Sequence, residues 1–216
     1  MNYINEEYIE EYIRGIIHES TPLLKELEEY ARINHVPIIH PEVAQFLRVL
    51  LKIHKPLRIL EVGTAIGYSA IVMASATGMQ TYIDTIEKRA DMVEIAKENI
   101  KKADLNDRIS IKFGEAEEVL PNLKGKYDFI FLDAAKGQYL DFFESCIKNL
   151  KPNGVIVSDN VLYKGMVAND ELVIRRKKTI VKRMRKYLDY ISDLDGFASC
   201  VLPLGDGVAI THREEE

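Results

Sequence analysis

The chain has 216 residues, 47% hydrophobic and 29% charged, an ordinary balance for a globular protein with one sizeable core. Its formal net charge of −5 argues against a uniformly basic nucleic-acid binder, and no apolar run approaches the roughly 20 residues that cross a bilayer. The charge is uneven, however: residues 1–35 carry eight acids against Arg14, Lys25 and Arg32, whereas VIRRKKTIVKRMRKY at 173–187 carries eight bases and no acid.

The opening MNYINEEYIEEYI is acidic and amphipathic, unlike a secretory or mitochondrial signal. Residues 5–33 read as helical, with Tyr8, Ile9, Tyr12, Ile13, Ile16 and Ile17 on one stripe. That stripe exceeds what a lone surface helix needs and predicts a homodimer. Pro41 should open a second helix through EVAQFLRVLLKI, so that helices fill residues 1–55. Strands and helices then alternate. RILEVG, TYIDTIE, ISIKFGEA, YDFIFLD and GVIVSDN read as strands; Ser69–Thr77, 89–103, 116–120 and 137–149 read as helices. The apolar runs are nearly continuous, as in parallel strands covered on both faces. Regular β-α alternation predicts a doubly wound parallel α/β sheet.

FASCVLPLGDGVAITHR closes the chain as two strand-like runs around Gly205-Asp206-Gly207. The prediction is a seven-stranded mixed sheet, mostly parallel with an antiparallel C-terminal hairpin, in a single domain over 1–216. Cys146 and Cys200 have no metal or redox spacing, and a reduced, cytoplasmic protein is the simplest expectation.

In open α/β sheets, ligands bind beyond the carboxyl ends of the strands. The first strand ends in Glu61-Val62-Gly63, with Gly67 four residues on. This is neither a triphosphate cradle nor a dinucleotide fingerprint, because Ala65 stands where the second glycine should be. Such a turn suits a ligand without phosphate. Glu87, ending the second strand, can take both hydroxyls of a ribose. A phosphate-free nucleoside between Gly63 and Glu87 is S-adenosylmethionine in outline.

Asp133 ends the fourth strand and Asp159-Asn160 the fifth. Two carboxylates and an amide, without His or Cys, are hard ligands suited to Mg²⁺ or Ca²⁺. Lys136, three residues beyond Asp133, would lie near a metal and a sulfonium, which favours its neutral form and makes it a candidate base. The five histidines, His18, His35, His40, His54 and His212, are scattered and read as structural.

EVGTAIGYSA, Glu87, DFIFLDAAKGQY, GVIVSDNVLYKG and LPLGDGVAI together resemble the cation-dependent O-methyltransferases, the group of the catechol and caffeoyl-coenzyme A enzymes, from about residue 36 onward. The resemblance implies the Rossmann-like class I methyltransferase fold, with S-adenosylmethionine as donor and Mg²⁺ as metal. It implies cofactor contacts from Val36, Ile38, Glu61, Gly63, Tyr68, Ser69, Glu87, Ala116 and Asp133. It implies metal ligation by Asp133, Asp159 and Asn160, with Lys136 as base. Animal catechol enzymes carry His-Trp after the metal aspartate. This chain has Ala134-Ala135 there and no Trp at all, a departure from a tight aromatic slot.

The basic stretch follows the metal strand. It reads as a helical insertion over 164–191 that borders the site, with Arg175, Arg176, Lys177, Lys178, Lys182 and Arg183 as candidate RNA contacts. Bacterial tRNA 5-hydroxyuridine methyltransferases are similar throughout, including VPII-x-PEVAQFL and this insertion. They imply the anticodon loop of tRNA as substrate, with methylation of the wobble uridine to 5-methoxyuridine; a small catechol is the alternative. The 5-hydroxyl and O4 of that base form a vicinal pair that can chelate Mg²⁺ as a catechol does, and an anticodon base can be splayed into a pocket. Tyr139, Phe142, Phe143 and Tyr163 are candidate stacking groups, although Phe142 and Phe143 fit a helix core better.

Overall fold

A computed structural model describes residues 4–17, 21–134 and 137–215, together with the backbone but not the side chain of Lys136. The helices α1 (Glu7–Gly15), α2 (Pro22–Asn34) and α3 (Pro41–His54) precede the first strand. The alternating part follows: β1 (Arg58–Val62), α4 (Tyr68–Ala76), β2 (Tyr82–Glu87), α5 (Ala90–Lys102), β3 (Ile109–Phe113), α6 (Ala116–Val119), β4 (Tyr127–Leu132), α7 (Tyr139–Ile147) and β5 (Leu150–Ser158). The chain ends with α8 (Lys178–Ser192) and the strands β6 (Phe197–Leu202) and β7 (Val208–Arg213).

The seven strands lie in the order β3-β2-β1-β4-β5-β7-β6. The first five are parallel, and β7 runs antiparallel to both β5 and β6, as the apolar runs and the final hairpin predicted. Side chains alternate across the pleat. Ile59, Phe129, Phe131 and Val157 join a core with α2, α3, α4 and α5. Leu60, Val62, Ile130, Leu132 and Ile156 join a second core with α6, α7 and α8. Both sheet faces are therefore dry, which explains why the strands read as continuous apolar runs. Among the described residues no helix is long and apolar enough to cross a membrane.

Two helical expectations need correction. Residues 5–33 do not form one helix. Thr21 is extended and caps α2 by accepting the Leu24 N–H (3.3 Å), with Pro22 in its first turn. A proline has no N–H to continue a helix and pushes the preceding residue out of the helical region. The stripe on α1 is left largely in solvent, with Tyr8 and Tyr12 about 70% exposed.

Residues 164–191 are helical only from Lys178. Tyr163, Lys164 and Gly165 have positive φ, Asp170–Leu172 is a short 3₁₀ turn capped by Asn169, and Arg175–Lys177 is another. Consecutive cations oppose the positive N-terminal end of a helix macrodipole, and α8 has no acid in its first turn to offset them.

Candidate active site

The β1–α4 turn is built backbone to backbone. Gly63 and Thr64 both donate their N–H to the Ile86 carbonyl (3.0 and 3.2 Å), and Gly67 donates to Thr64 (2.8 Å). Gly63 and Gly67 have φ of +107° and +83°, a region open to glycine at little cost. Beneath the turn lies Glu61, fully buried, taking hydrogen bonds from the Ser69 and Thr85 hydroxyls (both 2.5 Å). Burial pushes its carboxyl up to about 8; the two hydroxyls pull the other way, and the nearby Asp133 and Glu87 raise it further.

Glu87 sits at the lip. Its Oε2 accepts the Ala65 N–H (2.8 Å) and its Oε1 accepts those of Lys88 and Arg89 (3.0 and 2.9 Å). The carboxylate is thus aimed over the glycine turn. Gly63, Glu87 and Ala116 border one cleft, as expected of neighbouring strand ends.

The cleft also has walls that the sequence reading missed, Glu117 and Gln138 among them. Gln138 donates its side-chain amide to the Glu117 carboxylate, so a polar bridge links α6 to the loop after β4. Glu117 was findable, because the third strand runs straight into it. Gln138 depends on how the Lys136–Gln138 turn meets α6, which no local pattern encodes.

Other expected cofactor residues are not among the walls of this cleft. Tyr68 is buried and gives its hydroxyl to Glu28 on α2 (2.6 Å); burial and that carboxylate raise its pKa. The hydroxyl of Ser69 is committed to Glu61. Val36 and Ile38 lie partly buried between α2 and α3, packed on the first core.

Asp133 and Asp159-Asn160 come together at the carboxyl ends of β4 and β5. Asp133 N–H bonds the Val62 carbonyl and Asp159 N–H the Leu132 carbonyl (3.0 and 2.9 Å), which stacks the two strand ends in register. The Asn160 amide donates to Asp133 Oδ1 (3.2 Å), and Asp159 Oδ1 accepts the Asn160 N–H (2.7 Å). Asp159 is fully buried and Asn160 has φ of +62°. Among the described residues no three His, Cys, Asp or Glu side chains form a metal-binding group. Two acids and one amide bring three oxygen-bearing side chains together, a donor set that fits a hard divalent cation. Burying the Asp159 carboxylate is costly, and such a cation would reduce that cost. Lys136 opens a 3₁₀ turn over Lys136–Gln138; its side chain lies outside the described positions.

The proposed stacking groups are corrected by their burial. Tyr139, Phe143 and Tyr163 are at most 7% exposed. Tyr139 donates its hydroxyl to the Asp159 carbonyl (2.6 Å), bracing the loop from below. Tyr139 and Phe143 both pack edge-on against Tyr187, with centroids 5.6 Å apart. Tyr163 is capped by the Lys177 ammonium, 5.5 Å from its ring. Of the four, Phe142 borders the cleft.

The basic segment lies beside the loop that follows Asn160. Lys178, Lys182 and Arg185 line a surface cleft with Asp170. Arg175, Arg176, Lys178 and Lys182 are exposed. Arg183 differs, because its guanidinium donates to the Gly137 carbonyl (3.0 Å) and thereby ties α8 to the Lys136–Gln138 turn.

The O-methyltransferase family model matches residues 15–214. A catechol O-methyltransferase of Niastella koreensis is 32% identical over 76% of this chain and 77% of its own. A caffeoyl-CoA O-methyltransferase of Medicago sativa is 31% identical over 91% of this chain and 86% of its own. The crystal structure of an O-methyltransferase from Bacillus cereus in complex with SAH superposes with a TM-score of 0.85 at 27% identity, covering 96% of this chain and 97% of that one.

Proposed function

This chain belongs to the O-methyltransferase family, and from that premise we propose that it moves the methyl group of S-adenosylmethionine to one hydroxyl of a vicinal oxygen pair on a small, catechol-like acceptor. The observation that carries the reading is the meeting of Asp133, Asp159 and Asn160 beside a cleft bordered by Gly63 and Glu87. The relatives named for catechol and caffeoyl-CoA support a small acceptor.

On this reading Glu87 takes the ribose hydroxyls of the donor, while the bare Cα of Gly63 lets the turn pack against the Asp133 backbone. Val36, Ile38, Glu61, Tyr68, Ser69, Ala116 and Asp133 complete the surroundings of the donor. Asp133, Asp159 and Asn160 hold a divalent cation, Mg²⁺ by preference. When bound, that cation would acidify the acceptor hydroxyl and fix both oxygens in place. Lys136 is the residue proposed to take the hydroxyl proton. The acceptor oxygen gains the methyl, its proton leaves, and the sulfonium becomes the neutral thioether SAH.

A second reading is favoured by the exposed cations Arg175, Arg176, Lys178 and Lys182, with the half-buried Lys177 among them. These suit a phosphate backbone, with a tRNA 5-hydroxyuridine presenting the vicinal oxygens. Exposed Tyr8, Tyr12 and Ile16 on α1 support pairing of two copies. Free Cys146 and Cys200 fit a reducing, cytoplasmic setting.

The test supplies labelled S-adenosylmethionine with two acceptors: a panel of catechols beside matched monophenols, and tRNA carrying unmethylated 5-hydroxyuridine. Label in catechols but not in monophenols is expected. Label in tRNA alone would replace the small acceptor by the second reading. Label in neither would overturn both.

A further inference from the structure

We propose that Asp206, in the β6–β7 turn, is a positioning residue for the cation site. Its carboxylate holds the loop after Asn160 in the path that keeps Asn160 against Asp133. The inference rests on the proposed cation reading and adds a residue that lies outside the ligand set.

The loop NVLYKG at 160–165 is conformationally unusual. Asn160, Tyr163 and Lys164 have φ of +62°, +47° and +57°, and Gly165 of +80°. Left-handed backbone is natural for glycine and unfavourable for tyrosine and lysine. Such geometry persists only when the surroundings impose it.

The β6–β7 turn imposes it through three bonds. Val161 N–H donates to the Gly207 carbonyl and Leu162 N–H to the Asp206 carbonyl, both at 2.9 Å. The Lys164 N–H donates to the Asp206 carboxylate. The first two bonds use backbone that any residue would supply. The third needs this side chain. A charged acceptor on a backbone N–H is stronger than a neutral one, and Asp206 is only 7% exposed.

The turn itself is fixed on both sides. Gly207 donates to the Leu204 carbonyl (2.8 Å). A methyl on Gly207 would overlap Leu162, and one on Gly205 would lie 2.9 Å from Val43 on α3. The carboxylate is therefore presented from a rigid frame wedged between α3 and the loop. On the far side, Arg185 donates to the Val167 and Met166 carbonyls (2.9 and 3.3 Å). Asp206 is the anchor nearer the ligands.

Without its acceptor, the Lys164 N–H loses its partner, and Tyr163 and Lys164 relax toward ordinary backbone. That movement draws Asn160 from Asp133. Supporting partners of metal ligands typically change affinity by about 10–100-fold when removed.

The experiment titrates Mn²⁺ by water-proton relaxation into the wild type, Asp206→Ala, Asp206→Asn and Asp159→Ala. S-adenosylmethionine affinity and thermal melting are followed in parallel. The expected result is saturable Mn²⁺ binding by the wild type and about 10–100-fold weaker binding by Asp206→Ala. A smaller loss is expected for Asp206→Asn, whose amide oxygen still accepts. S-adenosylmethionine affinity should hold, because Gly63 and Glu87 sit on other strands. Adding Lys164→Gly, which takes positive φ freely, should restore part of the Mn²⁺ affinity lost in Asp206→Ala.

Wild-type Mn²⁺ affinity in folded Asp206→Ala and Asp206→Asn overturns the positioning role and leaves the cation reading intact. Failure of the wild type to bind Mn²⁺ overturns the cation reading, and the role of Asp206 with it. Loss of fold in both Asp206 variants makes this a residue of the fold and overturns the proposal.

Discussion

Gly63 and Asp133 pack backbone against backbone: a methyl built on Gly63 would overlap the Asp133 carbonyl oxygen and lie 3.0 Å from its carbonyl carbon. The proposed cofactor turn and the first proposed cation ligand therefore share one close approach. Gly63→Ala would also have to hold alanine at φ +107°. The expected outcome is a destabilisation of about 2 kcal/mol or more, with weakened binding of both S-adenosylmethionine and Mn²⁺. Urea unfolding and ligand titration check this. Wild-type affinity for both ligands in Gly63→Ala would refute the shared approach.

Glu61 makes stability depend on pH. Burial, outweighing its hydrogen bonds from Ser69 and Thr85, lifts its carboxyl from 4.5 to about 8. The folded protein thus keeps a proton that the unfolded chain releases near 4.5. The stability from this protonated form is complete below that value and is lost as pH rises to about 8, by at most about 1.4 kcal/mol per pH unit. Glu61→Gln cannot titrate, so its curve should be flatter in this window. Unfolding of the cofactor-free protein across the window checks it; parallel curves for the two proteins would count against the assignment.

The cations of 175–186 divide by what they touch. Arg175→Glu with Arg176→Glu changes exposed groups. It should leave transfer to a catechol within about two-fold, while any transfer to tRNA falls steeply and its salt dependence shrinks. Equal loss with both acceptors would mean that these two side chains serve the fold.

Arg183 is different, because it holds the Gly137 carbonyl. Arg183→Met should lower kcat even with a small acceptor, by about ten-fold if the Lys136–Gln138 turn loses its placement, and Arg183→Lys should recover part of it. Steady-state kinetics with a catechol read this directly. An unchanged kcat in Arg183→Met would leave the contact without a functional consequence.

The sheet and the strand ends were legible because their signals are local. Apolar runs such as YDFIFLD mark strands covered on both faces, and Asp133, Asp159 and Glu87 follow directly where those runs stop. The break at Thr21-Pro22 was also legible as a helix start, but the isoleucine and tyrosine stripe before it masked the boundary.

Elsewhere the information is tertiary. NVLYKG contains one glycine, yet three of its other residues adopt positive φ, in a loop whose Val161, Leu162 and Lys164 N–H groups bond to a hairpin distant in sequence. Tyr139 looks like a free aromatic near the site. It is instead a buried strut, since its hydroxyl finds the Asp159 carbonyl once α7 packs under β5. The bridge from Glu117 to Gln138 joins segments that meet only in the folded sheet.

The most direct measurement is the initial rate of methyl transfer to a catechol as free Mg²⁺ is titrated, for the wild type and for Asp159→Ala. The account predicts a saturable rise with Mg²⁺ in the wild type, abolished by chelator. It predicts a rate lower by about 100-fold or more in Asp159→Ala. Transfer that ignores the chelator and survives Asp159→Ala would contradict it, because Asp133, Asp159 and Asn160 would then hold nothing that the reaction needs.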